Sequence, residues 1–308
     1  MIQTIHAKNR EEWLTLRKKG IGSSEVGTIM GVNPYDTPYQ LWLRKTEQAP
    51  PIEENVAMKM GHKLEPIVAQ LYEEYTGNVV DRDTEDDFVV INDLFPFMVA
   101  SPDRYVKDRQ GRTILLECKT TAHKVDEDTL PQYWFCQVQY LMACAELDMA
   151  AIAWLVNGRE FGTLQVSRNE RFVKAMLDKV AEFWKHVEDK TAPELTPNTD
   201  DVTLAYQAEE PGKIVTATDE IYAEYKKLLE VKANIETLER TKGEIEAAIK
   251  AHMQDAERLE YGDKLLATWK QSKGRETFDT KAFKADHADL AEQYTKTGKP
   301  VRTFLIKK

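Results

Sequence analysis

Three side chains in the first half of the chain have the types and spacing to hold a hard divalent cation and activate a water. Met98 to Val106 is an apolar run interrupted by Ser101-Pro102-Asp103, and Thr113 to Lys119 is a second run carrying Glu117 and Lys119 two residues apart. Side chains alternate faces along a strand, so Glu117 and Lys119 point one way while Leu116 and Cys118 point the other. The segment Lys107-Asp108-Arg109-Gln110-Gly111-Arg112 between them has the composition of a hairpin loop. Closing that hairpin brings Asp103 near Glu117 and Lys119. Two carboxylates and an ammonium on one surface suit a cation, a water and a phosphate. Glu-x-Lys recurs at Glu188/Lys190, Glu224/Lys226 and Glu230/Lys232, as chance supplies in a chain that is 31% charged. Those copies lie in helical or linker sequence, whereas the copy at 117 sits in a β-favouring apolar run with Ser-Pro-Asp upstream. The residues alone leave a second reading open, a cross-strand ion pair on an exposed sheet face.

Further candidates lie on either side. Arg17 and Ser24 straddle the start of a helix, where free N–H groups and a guanidinium together would hold a phosphate; an ordinary helix cap beside an exposed Arg is the alternative. Glu65 borders the apolar stripe of a long helix, either as a metal ligand or as the stripe's polar edge. Gln137 and Gln139 lie in the apolar stretch Phe135 to Met142, where buried amides need partners, whether a phosphate, a water or a backbone carbonyl.

The elements that must position these groups follow from periodicity and punctuation. Residues 10–18 read as a helix stopped by Gly20, Ser23 or Ser24 as the N-cap of a helix to about Met30, and Pro38 as the opening of another. Residues 55–76 read as a long helix ended by Gly77, with Val56, Met60, Leu64, Ile67, Val68, Leu71 and Tyr75 as its apolar stripe. Strands are expected at 79–80, 88–91, 97–106 and 113–120, a helix from Pro131 to about Ala145, a buried strand at 149–156, a turn at Asn157-Gly158, a strand at 161–166 and a helix at 168–188. This order is an α/β fold with a helical lead-in and helices packed on a meandering sheet, over residues 1–190. Residues 191–214, rich in Pro, Asp, Asn and Thr, read as a linker. Residues 215–308 read as a helical and small β region. There Ile221, Leu228, Ile235 and Ile249 share a seven-residue frame with Val231, Leu238 and Ile245 beside them, giving a coiled-coil-like helix or an open helical hairpin. A turn at Gly262-Asp263, a helix at about 279–294 and a strand at 301–306 complete the chain.

Composition narrows the function classes. The chain has 308 residues, 42% of them hydrophobic, and no apolar run of membrane-spanning length. No signal-peptide pattern is present, so the expectation is a cytoplasmic protein of a bacterium or a phage-infected cell. Cys118, Cys136 and Cys144 lack the spacing of a zinc or iron–sulfur site and read as reduced thiols. There is no phosphate-binding loop of the Gly-x4-Gly-Lys-Ser/Thr type, so nothing suggests nucleotide hydrolysis. The net charge of −10 weighs against a nucleic-acid partner. A local basic cleft remains compatible with it, and Arg17-Lys18-Lys19, Arg44-Lys45 and Lys59/Lys63 are clustered while acid gathers at Asp81 to Asp87 and in the second half.

Taken in order, Arg17…Ser24, Met60-Gly61…Glu65, Ala100-Ser101-Pro102-Asp103, Glu117-Cys118-Lys119 and Gln137-Val138-Gln139-Tyr140 resemble the YqaJ-type viral recombinase family, related to lambda exonuclease within the PD-(D/E)xK nucleases. The resemblance covers roughly residues 10 to 190 and implies a restriction-endonuclease-like core with a mixed central sheet. It implies a Mg²⁺-dependent, ATP-independent enzyme, with Mn²⁺ able to substitute, that digests linear double-stranded DNA 5′ to 3′. The 3′ tails would feed a RecT-like single-strand annealing protein in phage-type recombination, and a ring-shaped trimer is the implied assembly. By the same resemblance Asp103, Glu117 and the main-chain carbonyl of Cys118 bind the metal and Glu65 completes its shell. Lys119 orients the water, Gln139 touches water or phosphate, Arg17 and Ser24 hold the terminal 5′-phosphate, and Ser101 assists at the scissile phosphate, with Gln137 also at the DNA. An endonuclease of the same fold and a non-catalytic DNA-binding protein are the alternatives.

Overall fold

Why the chain separates into two sheets is set by one tripeptide. The computed structural model describes residues 2–81, 88–95, 97–196, 198–298 and 300–307. The first unit, Met1–Ala205, opens with β1 (Ile2–His6), α1 (Arg10–Lys18), β2 (Ile21–Gly22), a 3₁₀ turn (Ser23–Glu25), α2 (Val26–Ile29), α3 (Pro38–Lys45) and α4 (Val56–Thr76). It continues through β3 (Val79–Val80), β4 (Phe88–Asn92), β5 (Met98–Ala100), β6 (Arg104–Lys107), β7 (Thr113–Thr121), α5 (Gln132–Ala145), β8 (Met149–Val156), β9 (Glu160–Ser167), α6 (Glu170–Glu188) and α7 (Thr199–Ala205). The single strand expected over 97–106 is two strands. Pro102 has no N–H to give a ladder, and the chain leaves one sheet at Ala100 and enters the other at Arg104.

The first sheet has the order β1-β4-β5-β2 and the second β3-β6-β7-β8-β9. In the second, β7 and β8 run parallel and the other neighbours antiparallel, so α5 is the crossover that parallel strands require. The class is mixed α/β, as expected. Leu115 and Ile152 bury one face of that sheet with Trp134, Val138 and Leu141 of α5 and Val173, Met176 and Val180 of α6. Ile114, Leu116, Ala151 and Ala153 bury the opposite face against Val68, Ala69 and Tyr72 of α4.

Several local expectations change. Helix α4 starts where Asn55 accepts the Met58 N–H and stops at Gly77, whose φ of 68° is the left-handed cap only glycine adopts freely. Its stripe is narrower than the pattern suggests. Val56, Met60, Ile67 and Tyr75 are exposed, and burial centres on Val68, Ala69 and Tyr72 because only the middle of α4 lies on the sheet. Neither Ser23 nor Ser24 caps a helix through its side chain: Gly22 holds the cap position and its N–H is taken by Glu25. Strands β1 and β2, too short or too polar to signal themselves, were not anticipated.

The stretch read as a linker contains α7. Asp201 is fully buried and accepts hydrogen bonds from Thr37 Oγ1 (2.8 Å), Gln40 Nε2 (2.9 Å) and Thr196 Oγ1 (2.7 Å), which tie α7 to the start of α3. The first unit therefore runs past residue 190. The residues between Asp81 and Phe88, and Pro197, fall outside the described residues, and with them most of the acidic run noted above.

The second unit, Tyr206–Lys308, holds α8 (Asp219–Met253), the hairpin β10 (Arg258–Tyr261) and β11 (Lys264–Thr268), α9 (Thr280–Asp286) and α10 (Ala288–Tyr294). Of the two alternatives for its heptad stretch, one continuous helix of 35 residues is found, with Thr218 accepting the Ile221 N–H at its start. The apolar seam of α8 is exposed at Ile221, Leu228, Val231, Ile235, Leu238, Ile245 and Ile249. The helix expected at 279–294 breaks at His287, and residues 301–306 pair with no strand among the described residues. No helix among the described residues is long and apolar enough to cross a membrane.

Replacing Asp201 by Ala leaves three half-buried donors without this acceptor, at a cost of about 3 kcal/mol. Urea unfolding of the full chain should show this loss in the first unit, with partial recovery in Asp201→Asn; an unchanged midpoint would mean that α7 is not docked.

Candidate active site

The break between β5 and β6 leaves the last five residues of β7 without a neighbour on that edge, since the β6 ladder ends at the pair Arg104–Leu116. Asp103 fills the gap with its side chain: Oδ2 accepts the Cys118 N–H at 2.7 Å. The N–H and C=O of one strand residue leave along the same edge, so the Cys118 carbonyl opens beside Asp103. Glu117 and Lys119 lie on the α5 face, and Cys118 packs with the α4-side cluster, as the alternation requires.

The three polar side chains on that face form a closed set. Lys119 Nζ donates to Glu117 Oε1 (2.7 Å) and to Gln137 Oε1 (2.8 Å), and Gln137 Nε2 donates to the same Glu117 oxygen (2.6 Å). The other oxygen, Glu117 Oε2, is buried and has no hydrogen-bond partner among the described residues. Burial and the neighbouring Asp103 charge push the Glu117 carboxyl up to about 7. Burial and Glu65 push Asp103 up to about 7, against the pull of Lys119 and the Cys118 N–H. Lys119 is raised because Glu117 and Asp103 favour its charged form. The exposed ion pair of the alternative reading is thus excluded for Glu117, which is only 3% exposed.

These groups border a cavity of 490 Å³ that also takes in Trp13, Arg17, Ser24, Gly61, His62, Glu65, Ser101 and Arg104. Arg17 Nη2 donates to Ser24 Oγ at 3.0 Å, and its guanidinium lies 4.4 Å from the centre of the Trp13 ring. A Cβ at Gly22 would come within 2.8 Å of Arg17 Nη2, so glycine there lets the guanidinium settle against the turn. Lys45 braces the same turn by bonding Glu25 Oε2 and the Gly20 carbonyl, each at 2.7 Å. Ser101 lines the cavity with its Oγ engaged, donating to the Phe88 carbonyl and accepting from Trp13 Nε1.

Nine of the ten residues singled out from sequence border this one cavity; Gln139 does not. Its amide is fully buried, donating to the Ser167 carbonyl and accepting the Asn169 N–H, which fastens α5 to the turn before α6. Two residues along a helix turn the side chain by about 200°, so Gln137 and Gln139 cannot serve one site. Arg104 was missed. Its Nη1 donates to Glu65 Oε1 at 2.6 Å and to the Asp103 carbonyl at 2.5 Å. The available signal was a charged residue on the same strand face as buried Val106, which demands a partner.

Among the described residues no three His, Cys, Asp or Glu side chains converge closely enough to hold a metal ion by themselves. The unpaired, buried Glu117 oxygen beside Asp103 and an open main-chain carbonyl nevertheless fit a small hard cation that keeps several waters.

Residues 12–148 match the family described as the YqaJ-like viral recombinase domain. The chain is similar to the uncharacterized protein YqaJ of Bacillus subtilis (strain 168), with 30% identity over 310 residues covering 95% of this chain and 94% of that one. It is also similar to an uncharacterized protein of Acanthamoeba polyphaga mimivirus, 26% identical over 154 residues, covering 45% of this chain and 27% of that one. Among solved structures, an alkaline exonuclease from Laribacter hongkongensis gives a TM-score of 0.45 at 21% identity, covering 58% of this chain and 93% of that one. A phage-related exonuclease from Haemophilus somnus gives 0.44 at 15% identity, covering 56% and 94%.

Because the folded-state pKa of Glu117 is raised from 4.5 to about 7, the native state keeps a proton that the unfolded chain releases. Stability of the metal-free protein should therefore fall as pH rises across that window, with Glu117 contributing about 3 kcal/mol. Urea unfolding in chelator at pH 5 and pH 8 checks this. Glu117→Gln should reduce the dependence to the part that Asp103 contributes, whose carboxyl is also raised to about 7, and be the more stable protein at pH 8; an equal slope in both proteins would contradict the assignment.

Proposed function

The chain belongs to the YqaJ-like viral recombinase family, and from that premise we propose that it is a metal-dependent, ATP-independent exonuclease that digests linear double-stranded DNA from 5′ ends. The observation that carries this reading is Glu117, a buried carboxylate with an unpaired oxygen, set between Asp103 and Lys119. Burial of such a group without function is costly, and charge clusters of this kind concentrate at catalytic sites. The fold it favours is the PD-(D/E)xK nuclease core, with the acids at a strand head and within the next strand.

Asp103, Glu117 and the Cys118 carbonyl would hold Mg²⁺, or Mn²⁺ in its place. When bound, the ion would neutralise phosphate charge and supply a water of lowered pKa. Lys119, fixed by Glu117 and Gln137, would donate to the attacking water or to the oxygen that gains charge. Gln137 suits this position because one amide end accepts from Lys119 while the other donates to Glu117. Arg17 and Ser24 would take the terminal 5′-phosphate, with Trp13 and Gly22 setting the guanidinium. An end-binding pocket favours exonuclease over mid-duplex cutting. The 3′ tails left behind would pass to a RecT-like annealing protein, and a homotrimer around the duplex would give processivity; both extend the family resemblance.

The experiment is digestion of linear duplex, with and without a 5′-phosphate, beside closed circular duplex in Mg²⁺. Release of mononucleotides from linear DNA only, lost by about 10²-fold or more in Lys119→Ala, is expected. Cutting of the circle would indicate an endonuclease, and no cleavage with Mg²⁺ or Mn²⁺ a DNA-binding protein.

Arg17→Ala and Ser24→Ala should each lower the preference for 5′-phosphorylated over 5′-hydroxyl ends, by about tenfold for Arg17, while leaving digestion of hydroxyl ends in place. Equal losses on both ends would place the pocket elsewhere. Protons compete with the cation for carboxyls that titrate near about 7, so the Mg²⁺ concentration giving half-maximal rate should climb as pH drops below 7 and level off above 8. A pH-independent Mg²⁺ requirement would contradict ligation by these two groups.

A further inference from the structure

Arg104 follows Asp103 directly and is buried at the head of β6. Its guanidinium stands between two of the three acids in the cavity, bonded to Glu65 and to the main chain of Asp103. The pair with Glu65 is shielded, at 7% and 23% side-chain exposure, so separating it would strand a charge. A guanidinium also stays charged at any pH the protein meets and contributes donors only, so it can neither ligate a metal nor be discharged to admit one.

The formal charges in the cavity then limit what else can enter. Glu65, Asp103 and Glu117 bring three negative charges and Arg17, Arg104 and Lys119 three positive ones. The side-chain charges thus balance among themselves, so one divalent cation already leaves the cavity positive and a second would add to that charge. The two ions of a two-metal site lie about 3.5–4 Å apart, and a further carboxylate beside the first ion's ligands would help to hold the second. Glu65 is the acid in the cavity left for that role, yet it is turned to Arg104, and no three acidic side chains converge among the described residues.

We propose that Arg104 restricts this site to a single divalent cation, acting as a positioning residue that keeps Glu65 paired with its guanidinium. The inference rests on the nuclease reading above and assigns it a one-metal form.

The test counts bound metal on the full-length chain, stripped with chelator and titrated with Mn²⁺ at pH 8 without DNA, by calorimetry and by the electron paramagnetic resonance of free and bound Mn²⁺. Wild type should bind one Mn²⁺ per chain with an uncoupled spectrum. Arg104→Gln should bind two, with the spectrum of a spin-coupled pair, and adding Glu65→Gln should return the count to one. Two ions in wild type would overturn the inference whatever the variants do, and would leave the nuclease reading standing. A single ion in a natively folded Arg104→Gln protein would overturn it as well. Arg104→Lys, which keeps the charge, should stay at one ion and covers the case in which Arg104→Gln fails to fold. Absence of Mn²⁺ binding to wild type at millimolar concentration would remove the nuclease reading and this inference together.

Discussion

The hydrogen bond from the Cys118 N–H to Asp103 is the contact on which the site depends. It exists because the chain changes sheets at Ser101-Pro102-Asp103, where proline cannot continue a ladder. A strand edge left open inside a protein must find acceptors and donors. Here a carboxylate supplies the acceptor, and that choice brings a second acid next to Glu117. The cavity, the direction of the Cys118 carbonyl and the convergence of α1, α4 and β7 on one space all follow from the same departure of β6 from β7.

The electrostatics of the site are those of groups held against their preference. Burial pushes both Glu117 and Asp103 toward the neutral form, aided by Asp103 at Glu117 and by Glu65 at Asp103, yet Lys119 and Arg104 stand beside them. Neither cation balances the set alone, and one Glu117 oxygen is left without a partner. Rigid neighbours maintain this. Gln137 is fixed on α5, which the core clamps on both sides, and Glu65 is fixed on α4 by its pair with Arg104. The Arg17–Ser24 pair is similarly braced, through Gly22, Glu25 and the buried end of Lys45. A polar cavity assembled from three helices and three strands is thereby held to one geometry.

The second unit obeys a different logic. Its long helix α8 is rich in Ala, Glu, Lys and Leu, which favour helix without help from packing. Its seven-residue apolar frame is exposed along its length. Local propensity and capping by Thr218 account for the helix, whose buried residue, Met253, lies outside the apolar frame.

Period, punctuation and residue type determined much of this protein. The ends of α4 at Asn55 and Gly77, the turn at Asn157-Gly158, the buried strand β8 and the pairing of Glu117 with Lys119 on one face are all local consequences of sequence. They are fixed by capping, turn geometry and two-residue alternation, which act over a few neighbours. Tertiary structure decided the rest. Which of Gln137 and Gln139 faces the cavity depends on how α5 is rotated against the sheets, and the helix is apolar on both sides of that choice. The partner of Glu65 is 39 positions away, and the anchor of α7 at Asp201 reaches back 164 residues to Thr37. Hydrogen bonds and ion pairs across such separations are written in no local pattern, because they form only after the core has brought the segments together.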